Sequence, residues 1–137
     1  MFMPLWLAYL SRAYVDSGQV DSASRTINEA IATVEATGER WIEPELYRIA
    51  GENSLISAAR HAAKAQAYFE RALAVARAQQ ARGWELRAAT SMARLWCDQG
   101  KRNDARELLA PIYGWFGEGF DTLDLKEARA LLDDLAP

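Results

Sequence analysis

The chain has a single cysteine, Cys97, and a single histidine, His61, among 137 residues. One thiol cannot form an internal disulfide, and its isolation fits a reducing compartment. Without a second Cys or His at ligand spacing, a metal site would have to be built from carboxylates alone. Catalysis needs a base, a nucleophile and an orienting group brought together, and His61 lies in an interhelix segment with none of that company. No apolar run approaches the ~20 residues that span a bilayer. The opening Met1-Phe2-Met3-Pro4-Leu5-Trp6-Leu7 is apolar, but it lacks the basic start and small-residue cleavage site of a secretory signal, and Arg12 closes it early. Nor is there an excess of basic charge: 16 Lys and Arg face 19 Asp and Glu, for a net −3. That balance argues against a phosphate-binding surface. The composition thus predicts a cytoplasmic protein, not an enzyme, with no cofactor and with neither nucleic acid nor membrane as partner.

What the chain does have is helix-forming sequence. Half its residues are hydrophobic, Ala, Leu, Glu and Arg dominate, and 137 residues suffice for one domain with a sizeable core. The expectation is an all-α domain over 1–137. Within it one pattern is stated three times: Ala23-x3-Ile27-x2-Ala30-Ile31, Ala65-x3-Phe69-x2-Ala72-Leu73 and Ala105-x3-Leu109-x2-Ile112, at steps of 42 and 40 residues. A period of that length marks a repeat whose copies each expose an apolar face until they stack.

Helix signals divide the chain into hairpins. Leu7, Leu10, Ser11 and Tyr14 form one stripe, started by Pro4 and broken at Gly18, which predicts a helix from about Pro4 to Ser17. Asp21 and Ser22 are expected to cap the next helix, which ends before Gly38. A third helix begins near Glu43 with Leu46, Tyr47, Ala50 and Gly51 inward. The stretch from Ser57 to Ala63 contains no decisive breaker. A fourth helix carries Ala65, Tyr68, Phe69, Ala72, Leu73 and Ala76 to Gln80 or Ala81, and Gly83 is expected to interrupt it. A fifth takes Leu86, Ala89, Met92, Ala93 and Trp96 inward and stops at Gly100. In the sixth, Pro111 removes a backbone hydrogen bond at ~3 kcal/mol, predicting a kink or early end. Gly114, Gly117 and Gly119 surround Trp115, Phe116 and Phe120; no strand precedes them and no Lys-Ser/Thr pair follows, so they read as an aromatic turn and not a phosphate cradle. Asp121-Thr122-Leu123-Asp124 then opens a last amphipathic helix, with Asp133 and Asp134 on its solvent side. The repeats therefore run about 4–37, 43–81 and 84–116, with a capping helix at about 122–135.

These hairpins resemble the tetratricopeptide repeat. Repeat one matches its pattern as Leu7, Leu10, Ser11, Tyr14, Gly18, Ala23, Ile27 and Ala30. Repeat two matches as Tyr47, Ala50, Gly51, Ala65, Phe69 and Ala72, and repeat three as Ala89, Met92, Ala93, Trp96, Gly100, Ala105 and Leu109. The steps of 42 and 40 exceed the family's usual 34, and Pro111 is foreign to its pattern. The resemblance implies a right-handed α-solenoid of about three hairpins plus the capping helix. Trp41 and Trp84, each preceding a first helix of a hairpin, are expected to fill the wedge between hairpins, and Trp96 to sit in the core.

Longer phrases carry a more particular likeness: Glu39-Arg40-Trp41, Glu45-Leu46-Tyr47-Arg48, Glu85-Leu86-Arg87-Ala88-Ala89-Thr90-Ser91, Ala93-Arg94-Leu95-Trp96 and Gly119-Phe120-Asp121-Thr122 with Asp124-Leu125-Lys126-Glu127-Ala128. They resemble the C-terminal repeat region of large bacterial regulators that join a class III adenylate/guanylate cyclase domain, or a DNA-binding domain, to an AAA-like ATPase module. The resemblance implies a tail without cyclase or ATPase residues of its own, acting in protein interaction, scaffolding and signal transduction. A small-molecule-sensing regulatory domain and a structural oligomerisation tail are the alternatives.

In tetratricopeptide superhelices the first helix of each hairpin lines the concave face. Aligning the chain on that pattern puts Ala8, Arg12, Arg48, Glu52, Arg87, Thr90, Arg94 and Cys97 there. Arg12, Arg48, Arg87 and Arg94 suit bidentate recognition of carboxylates, so an acidic peptide, or an acidic surface of the parent protein's upstream domains, is the expected partner, with Glu52 beside them. The Lys and Asn of carboxylate-clamp domains that hold chaperone C-termini are missing at these places, so that partner is not expected. The apolar stretch Phe2 to Leu7 is expected to dock upstream helices or to support a homodimer.

Overall fold

The computed structural model describes residues 3–38, 40–56, 61–116 and 123–136, with side chains at 3–8, 15 and 20 left aside. Among the described residues there are seven α-helices, a short 3₁₀ turn at Arg40–Ile42, and no strand. The helices are α1 (Met3–Asp16), α2 (Val20–Thr37), α3 (Glu43–Ile56), α4 (Ala62–Ala78), α5 (Arg82–Asp98), α6 (Arg102–Gly114) and α7 (Leu123–Leu135).

The all-α expectation holds. Consecutive helices pair as hairpins, α1 with α2, α3 with α4 and α5 with α6, while α7 packs on both α5 and α6. The odd-numbered helices also pack side by side, α1 on α3, α3 on α5 and α5 on α7, so they form one continuous layer. The repeated pattern is the reason. Ala23, Ala65 and Ala105 are all but fully buried, as are Ile27, Phe69 and Leu109 four residues on. Small alanines let neighbouring helices approach, and the larger residue one turn later fills the space between them. A core around Ile27, Val34, Ile42 and Leu46 serves the first hairpin and α3; a second, from Tyr47 and Phe69 through Leu86, Met92 and Leu109 to Leu125, serves the rest. Ile31 and Tyr68 pack against both, joining them into one seam.

Closest approach in the second hairpin is set by Gly51. A Cβ there would lie 2.5 Å from Phe69 Cε1 and 2.7 Å from Cδ1, so the largest aromatic of the repeated stripe is accommodated by the smallest residue of the facing helix. Gly18, Gly38 and Gly100 end their helices with φ of +83°, +75° and +81°, a left-handed turn that glycine adopts without penalty.

Several boundaries differ from expectation. The cap of α2 is Gln19, with no side-chain capping bond, and Asp21 stands in the first turn. The fourth helix ends at Ala78, and the chain reverses through Gln80 at φ +55°. Gly83 does not break a helix but lies inside the first turn of α5. The early end expected at Pro111 does not occur, since α6 continues to Gly114; buried Ile112 just beyond the proline anchors that last turn in the core. Trp41 does not fill a wedge, being 51% exposed, and Trp96 is only half-buried. Trp84 is also half-buried in the first turn of α5, where its Nε1 donates to the Trp41 carbonyl at 2.9 Å and ties the starts of two successive odd helices together. Part of the segment without a breaker, 57–60, and the cap residues Asp121 and Thr122 lie outside the described residues, as does Phe2 at the head of the apolar opening.

Candidate functional site

Three odd helices supply one polar face. At helical spacing, Glu45, Arg48 and Glu52 line up on α3, Arg87, Ser91 and Arg94 on α5, and Asp124 and Glu127 on α7. Packing of α3, α5 and α7 side by side brings these rows into register around a groove of about 220 Å³, whose walls include Arg48, Arg87, Thr90, Arg94, Asp124 and Glu127.

Glu45 lies at the centre of the network, 1% exposed at its side chain. It accepts two hydrogen bonds from Arg48, Nε to Oε1 at 2.6 Å and Nη2 to Oε2 at 3.2 Å. Its Oε2 also accepts from Arg87 Nη1 of the next odd helix. Arg87 in turn reaches Asp124 on α7, its Nε donating to Oδ1 at 3.0 Å and Oδ2 at 2.9 Å. The Arg87 guanidinium also lies over the Trp84 ring, 5.6 Å from its centroid. A second rung runs from Arg48 past Glu52, at 3.7 Å, to Ser91, whose hydroxyl donates to Glu52 at 2.7 Å. Nearer the surface, Arg94 Nη2 donates to Glu127 Oε2 at 3.3 Å.

Burial disfavours the charge on Arg48, yet the hydrogen bonds and charges of Glu45 and the charge of Glu52 outweigh that loss, and its pKa stands above the ordinary arginine range. At Arg87 burial is again the largest influence, and Glu45 and Asp124 together overcome it in the same direction. Both guanidiniums are therefore cations held by carboxylates, Arg48 by Glu45 and Glu52 of its own helix and Arg87 by Glu45 of α3 and Asp124 of α7.

Of the residues singled out in the sequence, the structure brings Arg48, Glu52, Arg87 and Arg94 to this face and leaves Arg12 out. Arg12 is exposed on α1, pairs with Asp16 one turn along the same helix at 3.3 Å, and does not line the groove. The first hairpin is tied to α3 instead by Asn53 Nδ2, which donates to Ser11 Oγ at 2.9 Å. Cys97 lies half-buried near the far end of α5, with Arg102 Nη1 at 3.9 Å from its sulfur. Sequence reasoning passed over Glu45, Ser91, Asp124 and Glu127. A signal for Glu45 was available: it precedes Arg87 by 42 residues, the offset that also relates Tyr47 to Ala89 and Gly51 to Ala93 in the repeat match, so the two occupy equivalent positions on successive first helices.

With the carboxylates included, the face carries three arginines against Glu45, Glu52, Asp124 and Glu127, a net of one negative charge. The arginines are thus engaged and not free. The pairs differ in accessibility: Glu45 is sealed, whereas Asp124 and Glu127 are 34% and 44% exposed at their side chains. Beyond Arg87 and Asp124 the groove opens into a shallower trough bordered by Tyr9, Ala81, Gly83 and Trp84. Among the described residues no group of three or more His, Cys, Asp or Glu side chains is placed to hold a metal ion, and no helix is long and apolar enough to cross a membrane.

No protein-family model matches the chain, and no curated protein matches it.

Proposed function

We propose that this chain is a protein-interaction module of tetratricopeptide type, a right-handed superhelix whose odd-helix face receives an acidic segment of a partner. The observation that carries this reading is the water-accessible outer rim of the arginine groove. Arg87 and Arg94 already hold carboxylates there, from Asp124 and Glu127, in positions that water reaches. The exposed Arg94–Glu127 pair is worth only about 0–1 kcal/mol, so a partner carboxylate can take the place of Glu127 without undoing the fold, while Asp124, half-buried on Arg87, is the more firmly held of the two. The sealed Glu45 pairs keep Arg48 and Arg87 in place while the outer carboxylates change.

By this reading the module performs no chemistry of its own and contributes recognition and geometry to a larger bacterial signalling assembly, of the kind in which a cyclase or ATPase domain stands upstream. Fluorescence anisotropy with a labelled Glu/Asp-rich peptide and a Gln/Asn counterpart of equal length tests it. The acidic peptide is expected to bind the chain and the neutral one not; Arg94→Glu is expected to weaken the interaction by about tenfold, roughly 1.4 kcal/mol. Equal binding of both peptides, or indifference to Arg94→Glu, overturns the reading.

A further inference from the structure

Between α2, α3 and α4 lies a second cavity, of about 240 Å³, which has no lining residue in common with the arginine groove. Each helix turns polar side chains into it: Asp21, Ser24 and Asn28 from α2, Asn53 from α3, and Lys64 and Tyr68, one turn apart, from α4. Ala23 and Ala50 also line it, and their short side chains leave the wedge between the first and second hairpins open.

One observation distinguishes this wedge from a packing gap, and a second bears on what it would hold. Asn53 is 8% exposed, and although its Nδ2 donates to Ser11, its Oδ1 has no donor among the described residues. Folded proteins almost always satisfy such a buried amide oxygen. The second observation is electrostatic: Asp21 and Lys64 bring opposite charges to the same cavity from different helices, and neither is in an ion pair among the described residues. Asp21 and Lys64 are exposed at the mouth, where water solvates them, so they offer a bound molecule charge contacts, while the buried Asn53 Oδ1 is the group that lacks a donor. A molecule with both an ammonium and a carboxylate answers all three.

We propose that this cavity binds a small zwitterion of free amino-acid size, its ammonium on the side of Asp21 and Asn53 and its carboxylate at Lys64. The volume agrees, lying below the roughly 300–1,000 Å³ of pockets that enclose drug-sized ligands. Since the walls come from two hairpins, occupancy favours one spacing between them and thereby couples the ligand to the geometry of the odd-helix layer.

Isothermal titration calorimetry on the intact chain with each of the common free L-amino acids tests the proposal, with the decarboxylated amine and the N-acetylated acid of any binder as controls. At least one amino acid is expected to bind, each control at least tenfold more weakly. Asp21→Asn and Lys64→Met, both exposed and compatible with folding, are each expected to lower its affinity by about tenfold or more. Absence of binding by every amino acid, the result for a cavity that holds water alone, overturns the proposal. So does binding matched by either control or unaffected by both substitutions.

Discussion

Glu45 and Arg87 stand one repeat apart at equivalent positions on α3 and α5, and there the carboxylate of one meets the guanidinium of the other. Arg48 holds the same carboxylate from within α3, and Asp124 holds Arg87 from α7. An alternating chain of charge thus crosses three consecutive odd helices. Ion pairs with a sealed member are weak sources of net stability, because desolvation offsets their attraction. What this chain supplies is register, since a slide of α5 against α3 leaves Glu45 buried with an unmatched partner.

Removing the shared carboxylate is therefore expected to be severe. Glu45→Ala confines Arg48 and Arg87 beside one another with like charges, and a loss of about 3 kcal/mol follows from the cost of breaking a buried pair. Removing the charge on both sides, as in Glu45→Met with Arg87→Met, is expected to recover much of it. Urea denaturation of the single and double variants measures both, and a loss in Glu45→Ala below about 1 kcal/mol contradicts the assignment. The raised pKa values of Arg48 and Arg87 add a sign: for a cation favoured in the folded state, the stabilisation is complete below the unfolded pKa and is lost only as pH rises past the folded one. That window lies above the ordinary arginine range, so these cations stay charged throughout the pH range proteins tolerate.

Gly51 is the place where a usually stabilising substitution fails. In a helix interior Gly→Ala ordinarily gains about 0.5–1 kcal/mol. Here the added methyl would meet the Phe69 ring at 2.5–3.0 Å, and overpacking costs about 1–3 kcal/mol. Gly51→Ala is expected to lower the thermal midpoint, and Phe69→Leu in the same chain to offset part of the added loss. A Gly51→Ala chain as stable as the original would show that α3 and α4 can separate freely.

Two local strains offer the opposite result. Gln80 has φ +55° without a glycine's freedom, a state that costs other residues roughly 1–2 kcal/mol. Pro111 sits within a continuous α6, where it withholds the N–H that would reach Glu107. Gln80→Gly and Pro111→Ala are each expected to stabilise by about 1 kcal/mol, read from denaturation midpoints. A fall in stability on Gln80→Gly would mean that the left-handed turn is held by its glutamine.

The helical hairpins were legible because burial obeys spacing: the stripe from Ala65 to Ala76 and its copies announce which face is inside. Gly18, Gly38 and Gly100 were equally plain, each a positive-φ stop. The break before α5 was not, since Gly83 drew attention while the turn formed at Gln80, whose type carries no such signal. Pro111 misled in another way, because local propensity yielded to the core contact of Ile112. In the arginine face, the row on α3 and α5 followed from aligning the chain on the tetratricopeptide pattern. Its neutralisation did not, because Asp124 and Glu127 arrive from a helix whose packing against α5 no local pattern specifies. Arg12 failed for a different reason, being served by Asp16 one turn along its own helix.

The exchange model makes one further demand on α7. If Asp124 and Glu127 occupy the sites that a partner's carboxylates take, they compete with it, and neutralising them removes the competitor along with a like-charge repulsion. Asp124→Asn with Glu127→Gln leaves Leu125, Ala128 and Leu135 to anchor the helix, so the fold is expected to persist. The labelled acidic peptide is then expected to bind the double variant about tenfold more tightly than the original chain, mainly through a gain at low ionic strength where the competing charges are least screened. A purely structural role for these carboxylates predicts the reverse, since loosening α7 would disorder the groove and weaken the peptide. The direction of that single change in anisotropy separates a groove that lends its arginines to a partner from one that keeps them for itself.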